Sequence, residues 1–412
     1  MRIRYLLLHA YGTGGTIRTV MNQANALVAR GHDVELVSVL RHRDEVRFPL
    51  DPRVRVTSLI DERGTADGAD DAGPHAGGGA PPAEGWRAAL GARRDAALAR
   101  SRPELVPAGE FGARYFNRYV ERTVARHLRQ TTGDVLVSTR PALNVLAARY
   151  APRSMVRVAQ EHMNLSVHRA DVRKAIAAHY PAFDAVAVLT ERDRAEYAAL
   201  LPRTRVVRIP NAVHSLDQQP ADHGSRIAVA AGRLYPQKGF DLLLPAFRQV
   251  VERHPDWQLR IFGVGERKGE LRALIEELHL YNHVFLMGHT SRLDDELAKA
   301  SLYVLSSRFE GLPMVMIEAM AHGLPVVGFD CPTGPSDVLT DGREGILVPP
   351  EDVEALAGAM SRLMGDRALR EKLGAAALRT ARDYSPAEVH PRWESLFSEL
   401  LGAAPGGTER ER

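Results

Sequence analysis

The chain has 412 residues, more than one ordinary compact domain holds, so two domains of roughly 150–200 residues each are expected. Hydrophobic residues make up 45% and charged residues 25%, while 54 basic against 51 acidic residues leave a net charge of +3, too balanced for a nucleic-acid-binding surface. One cysteine, Cys331, excludes an intrachain disulfide and suits a reducing, cytoplasmic compartment.

The opening run Tyr5-Leu6-Leu7-Leu8 leads straight into His9 and a glycine cluster. It is too short for a signal peptide, and no stretch of about 18 apolar residues is present to span a bilayer. Short apolar runs then alternate with helical segments, the pattern of parallel βαβ units. In the first half strands are predicted at 2–8, 33–39, 54–59, 134–138, 155–159, 184–189 and 205–209, with helices at 16–30, 111–130, 168–179 and 191–200. Residues 61–85 are dominated by Gly, Ala, Asp and Pro; they bury too little apolar surface to offset ordering entropy and are expected to be a disordered surface insertion. A basic stretch, from Arg87 through Arg114 and Arg118 to Arg129, leaves open peripheral contact with an anionic membrane. The simpler reading of 111–130 is a core-facing stripe of Phe116, Val120, Val124 and Leu128 with a basic outer face.

Residues 212–224 lack any apolar period and are expected to be a linker between a first domain, 1–211, and a second, 225–385. The second half repeats the alternation. Strands fit 226–231, 257–262, 283–287, 302–305, 325–328 and 345–348, and helices fit 240–254, 267–279, 292–299, 313–322, 352–364 and 366–383. A last helix, 386–401, aligns Val389, Trp393, Leu396, Phe397 and Leu400, and the tail 402–412 is expected to be disordered.

Four segments at predicted strand ends carry chemistry. In Phe309–Gly323, Glu310 falls in a loop after a strand, Pro313 suits a first helical turn, and Glu318 sits within the apolar stretch Met314–Met320. A lone Glu on a helix is ordinarily solvated, but a charge among apolar residues needs a partner. Paired carboxylates at the carboxyl end of an open sheet suit sugar hydroxyls, and the adjoining helix N-terminus suits a phosphate. Gly232-Arg233-Leu234 followed by Gln237-Lys238-Gly239 offers two cations to a diphosphate and to the charge developing on a leaving group, although two surface cations beside a turn would look the same. Gly12-Thr13-Gly14-Gly15-Thr16-Ile17-Arg18 follows the first strand; it is either a tight turn or a place where backbone approaches a ligand. Gln160-Glu161-His162 follows another strand, and a loop histidine there is either structural or a hydrogen-bonding partner of a sugar or phosphate oxygen. Phe262-Gly263-Val264-Gly265 reads as a loop beside a nucleotide. Neither a nucleotide-triphosphatase loop nor an Asp-x-Asp metal device occurs, so no metal and no cofactor are expected.

Together these segments resemble glycosyltransferase family 4, retaining enzymes of the GT-B fold, over nearly the whole chain and most strongly from 226 to 350. The resemblance implies an α/β architecture of two Rossmann-like doubly wound domains facing across a cleft, with a nucleotide-sugar donor in the second and a glycan, lipid-linked or small-molecule acceptor in the first. By it, Glu318 binds the ribose and Glu310 the sugar ring. Arg233 and Lys238 hold the diphosphate, and Gly14, Gly15 and Arg18 form the first domain's glycine loop. His162 contacts the sugar, Met287 and Gly288 meet the base, and Gly263, Gly311, Leu312, Pro313 and Met314 line the donor. The sequence departs from the family at Gly14–Arg18, where an acidic residue is common before the Arg, and in the 61–85 insertion. The expected activity is metal-independent retaining transfer of a hexosyl unit, from a UDP-sugar in preference to GDP-mannose. A same-fold epimerase or phosphorylase, and a non-catalytic sugar-nucleotide binder, remain as alternatives.

Overall fold

A computed structural model describes residues 1–12, 14–63, 86–214 and 216–403. The chain forms two compact units: Met1–Leu189, Asp193–Ile209 and the chain from His390 on make the first, and Thr190–Arg192 with Pro210–Val389 make the second.

In the first unit the elements run β1 (Arg2–His9), α1 (Gly15–Ala29), β2 (Asp33–Arg41), β3 (Arg55–Asp61), α2 (Trp86–Ala99), α3 (Arg118–Gln130), β4 (Val135–Thr139), α4 (Pro141–Tyr150), β5 (Val156–Gln160), α5 (Ala170–His179), β6 (Ala185–Val188), α6 (Glu191–Leu200) and β7 (Val206–Arg208). Every strand pair is parallel, in the order β3-β2-β1-β4-β5-β6-β7. The chain winds outward from β1 in one direction and from β4 in the other, so the topological switch point lies between these two strands. Ligands of open α/β sheets bind at the carboxyl edge of such a point. Strands covered on both faces read as continuous apolar runs, which is why Val135–Val137 and Ala185–Val188 were visible in the sequence.

The second unit runs β8 (Ile227–Ala231), α7 (Phe240–Val251), β9 (Gln258–Phe262), α8 (Lys268–Glu277), β10 (Val284–Gly288), α9 (Leu293–Ala298), β11 (Leu302–Leu305), α10 (Met314–Ala321), β12 (Val326–Phe329), α11 (Pro335–Val338), β13 (Gly345–Val348), α12 (Val353–Gly365), α13 (Arg367–Ala381) and α14 (Pro386–Ala403), the last continuing into the first unit. Its parallel order is β10-β9-β8-β11-β12-β13, so the switch point lies between β8 and β11. Phe247, Trp257, Leu259, Ile261, Val304 and Phe329 are buried at its core.

Several expectations change. Helix 111–130 is two elements: a single 3-10 turn at Ala113–Tyr115, then α3, whose start is fixed by Asn117 accepting a hydrogen bond from the Val120 amide at 2.9 Å. Its apolar stripe is buried, as the core-facing reading requires. Helices α2 and α4 were not foreseen. Residues 212–214 and 216–224 belong to the second unit: Val213 is buried and donates to the Tyr384 carbonyl at 2.9 Å, and Ala221 donates to the His322 carbonyl at 2.8 Å. Residues 64–85 of the expected insertion and 404–412 of the expected tail lie outside the described residues; Gly402 and Ala403 belong to α14.

Candidate active site

In the second unit, the loops after β8 and β11 meet at the switch point. The β8 loop carries Arg233 and Lys238 and the β11 loop carries Glu310. They are stitched together by backbone and amide bonds. Gln237 donates from its side chain to the Phe309 carbonyl at 3.0 Å, the Arg308 amide donates to the Gln237 carbonyl at 2.8 Å, and Ser306 Oγ donates to the Lys238 carbonyl at 2.8 Å. Gly239 makes the contact feasible. Its φ of 60° is left-handed, and a Cβ there would lie 2.0 Å from the Ser306 carbonyl oxygen.

Glu310 is 5% exposed, and its Oε1 accepts from Lys238 Nζ at 2.6 Å and from Ser307 Oγ at 2.5 Å. Its backbone is fixed as well, the Glu310 amide donating to the Pro332 carbonyl at 3.1 Å and Thr333 Oγ1 to the Glu310 carbonyl at 3.1 Å. A buried carboxylate so held is a directional acceptor for hydroxyl groups. Arg233 is exposed, its guanidinium 5.3 Å from the centre of the Tyr235 ring, and among the described residues no carboxylate lies within ion-pair distance of it. It therefore presents an uncompensated charge at the same edge. Burial, helped by Glu310, pushes the Cys331 thiol up to about 12, so it stays protonated and is no nucleophile here.

Glu318 is buried in α10, whose neighbours Met316, Ile317, Ala319 and Met320 have essentially no exposure, and its Oε1 lies 3.7 Å from His214 Nδ1. His214 Nε2 in turn lies 2.9 Å from Asp294. Pro313 precedes the helix by one residue, and Glu318 is its fifth residue. Gly263 donates to the Gly288 carbonyl at 2.8 Å, which places β9 and β10 loop backbone together, and Met287 is exposed beside them. Gly311, Leu312 and Met314 lie on the turn into α10.

In the first unit, Gly14 caps α1, Gly15 is its first residue and Arg18 donates its amide to the Gly14 carbonyl. A Cβ on Gly15 would meet nothing within 4 Å, so the fold does not itself require glycine there. His162 follows β5 with both ring nitrogens buried and lacking a partner within the protein; burial, then the Arg140 charge, takes its pKa down to about 4 and keeps it neutral. Glu161 is fully buried, accepting from the Tyr180 hydroxyl and from Asn144 Nδ2 at 2.8 Å, and burial pushes it up to about 8. Ser307, His214, Asp294 and the Arg140 neighbourhood were missed from sequence. A search for polar residues at the ends of β1 and β4, the strands flanking the switch point, would have raised His9 and Arg140.

Residues 215–380 match the family described as glycosyl transferases group 1. Among relatives, an exopolysaccharide phosphotransferase of Streptomyces coelicolor is 35% identical over 404 residues, 97% of this chain and 41% of that protein. A poly(glycerol-phosphate) alpha-glucosyltransferase of Bacillus subtilis is 33% identical over 174 residues, 42% of this chain and 26% of that protein. This chain thus covers less than half the length of either. Among solved structures, S. aureus TarM in complex with fondaparinux, alpha-GlcNAc-glycerol and UDP aligns with TM-score 0.73 and 15% identity, over 96% of this chain and 100% of that one. The architecture is the GT-B fold of glycosyltransferases.

Proposed function

We propose that this chain transfers a hexosyl unit from a nucleoside diphosphate sugar, a UDP-sugar in the first instance, to a hydroxyl of a glycan, lipid-linked or small-molecule acceptor. The observation that carries the reading is the Lys238–Glu310–Ser307 cluster at the switch point of the group 1 domain, beside an uncompensated Arg233. Glu310 accepts from sugar hydroxyls and Glu318 from the ribose, while Arg233 and Lys238 neutralise the diphosphate as it departs. The acceptor oxygen bonds to the anomeric carbon, the bond from that carbon to the phosphate oxygen breaks, and the acceptor proton passes to the leaving phosphate. Attack on the face of departure gives retention, and the two cations supply the charge stabilisation without a metal. UDP in the TarM complex supports the choice of nucleotide.

The Streptomyces relative's name describes phosphoryl transfer, and the nucleotide product separates the two chemistries. Glycosyl transfer releases UDP, whereas transfer of a sugar phosphate releases UMP. Incubation with a panel of sugar nucleotides and mass spectrometry of the products should show UDP release, with Lys238→Ala slowing it by ~10²-fold or more. Release of UMP, or no turnover and no binding of any sugar nucleotide, refutes the reading.

A further inference from the structure

The first unit has its own switch point, and the residues at the ends of β1 and β2 have been given no role toward the donor. His9 and Arg41 end β1 and β2, Tyr11 and His42 follow them, and Arg140 follows β4. The His9 ring lies 6.2 Å from His42 and 6.3 Å from Tyr115, both edge-on. Arg41 sits 5.1 Å from the Tyr11 ring centre, and Arg114 sits 4.8 Å from that of Tyr115, also donating to its hydroxyl at 2.9 Å.

The carboxylates of this edge are already engaged. Glu110 accepts from Arg140 at 2.9 Å, Glu62 pairs with His42 at 3.2 Å, and Asp44 and Asp61 both pair with Arg63. Arg41 bonds the carbonyls of Arg43 and Asp44, and among the described residues no carboxylate lies within ion-pair distance of Arg41 or Arg114. Two guanidiniums are thus held on tyrosine faces without a directly paired carboxylate, although the Arg41 charge reaches Asp61 and helps lower its pKa. Behind them, Gln160 is 1% exposed with both amide atoms lacking a partner in the protein, and the same holds for His9 Nδ1 and both His162 nitrogens. Buried polar atoms are normally bonded, so a concentration of orphans at a ligand edge points to a ligand.

We infer that this edge binds a phosphate ester carried next to hydroxyl groups, with Arg41 and Arg114 gripping the phosphate and Gln160 and His9 meeting the hydroxyls. Planar guanidiniums match phosphate oxygens in pairs, whereas a neutral imidazole or amide both donates and accepts, as a hydroxyl requires. As the acceptor, this ligand rests on the glycosyl-transfer reading; its binding does not. The phosphate has two sources, a polyol-phosphate chain or a polyprenyl-pyrophosphate-linked sugar.

Calorimetric binding to the full chain tests this with three probes: a synthetic glycerol-phosphate hexamer, a detergent-solubilised polyprenyl-pyrophosphate-linked sugar and uncharged maltohexaose, with UDP measured on the same samples. At least one phosphate probe should bind ~10-fold or more tighter than maltohexaose. The double variant Arg41→Gln/Arg114→Gln should weaken it by ~10-fold or more, leaving UDP affinity and thermal unfolding unchanged. The probe that responds identifies the source. Maltohexaose binding as tightly, a double variant that binds the phosphate probes unchanged, or neither phosphate probe binding while UDP does, overturns the inference and leaves the donor reading intact. Phosphate binding without UDP binding does the reverse.

Discussion

Glu310 shows how a buried charge at the candidate site is tied into the fold. Its carboxylate is buried, and a buried charge is tolerable only with partners, here Lys238 and Ser307. Removing Lys238 leaves the acid with one hydroxyl partner in an apolar setting. Lys238 is partly exposed, so the penalty is smaller than for a fully buried pair, about 1–3 kcal/mol. Lys238→Met should therefore lower the midpoint of thermal unfolding more than Lys238→Met/Glu310→Gln does, although both abolish transfer. A double variant less stable than the single would show that the pair is not what holds Glu310. The sequence singled out Glu310, Glu318, Arg233 and Lys238 because charges beside glycines or among apolar residues stand out along the chain. Ser307 and His214 stayed hidden, since a serine in a polar loop or a histidine in an aperiodic segment acquires its role only when two distant loops meet.

At the scale of elements, strands were legible and some helices were not, for one physical reason. A strand buried on both faces is a short apolar run with turns at each end, visible without periodicity. Helix α4 is buried on nearly every side, from Pro141 to Ala147, so it shows no amphipathic stripe. Helix α2 begins at the end of the Gly- and Ala-rich stretch and carries no stripe that composition would betray. The junctions matter more for function, and their glycines are of two kinds. Gly239 is demanded by the protein: its left-handed φ and the Ser306 carbonyl leave no room for a Cβ. Gly15 is not, since its surroundings are open. Gly239→Ala should cost stability by about 1–3 kcal/mol and displace Lys238. Gly15→Ala should leave unfolding unchanged or slightly raised, alanine favouring the helix, yet reduce transfer if backbone there meets the ligand. Measured side by side, equal losses of stability in the two variants would refute the distinction.

For the whole molecule, the distribution of buried titratable groups makes the two units respond differently to pH. In the first unit, burial lowers His9, His162, His168 and His390 to about 4, below the usual 6.5. Between about pH 6.5 and 4 the unfolded chain binds these protons and the folded one does not, so stability falls as pH falls through that window. Glu161 acts in the opposite sense. Burial raises it from 4.5 to about 8, so the folded state keeps a proton that the unfolded chain has released, and stability falls as pH rises from about 4.5 to 8. Below pH 6.5 these four histidines, with His127 and His179 lowered by burial as well, outweigh one carboxyl; above it the Glu161 contribution dominates. In the second unit His223 and His254 are lowered, again by burial, and Asp241 is lowered chiefly by its hydrogen bonds from Arg308. Both units should therefore lose stability on acidification, while only the first declines between pH 6.5 and 8, by about 1–2 kcal/mol, or a few degrees in midpoint. Scanning calorimetry near pH 5, 6.5 and 8 checks this. The Glu161→Gln variant, which retains an acceptor for Tyr180 and Asn144, should lose the alkaline decline and keep the acid one. A decline between pH 6.5 and 8 that persists in Glu161→Gln would assign it to another group.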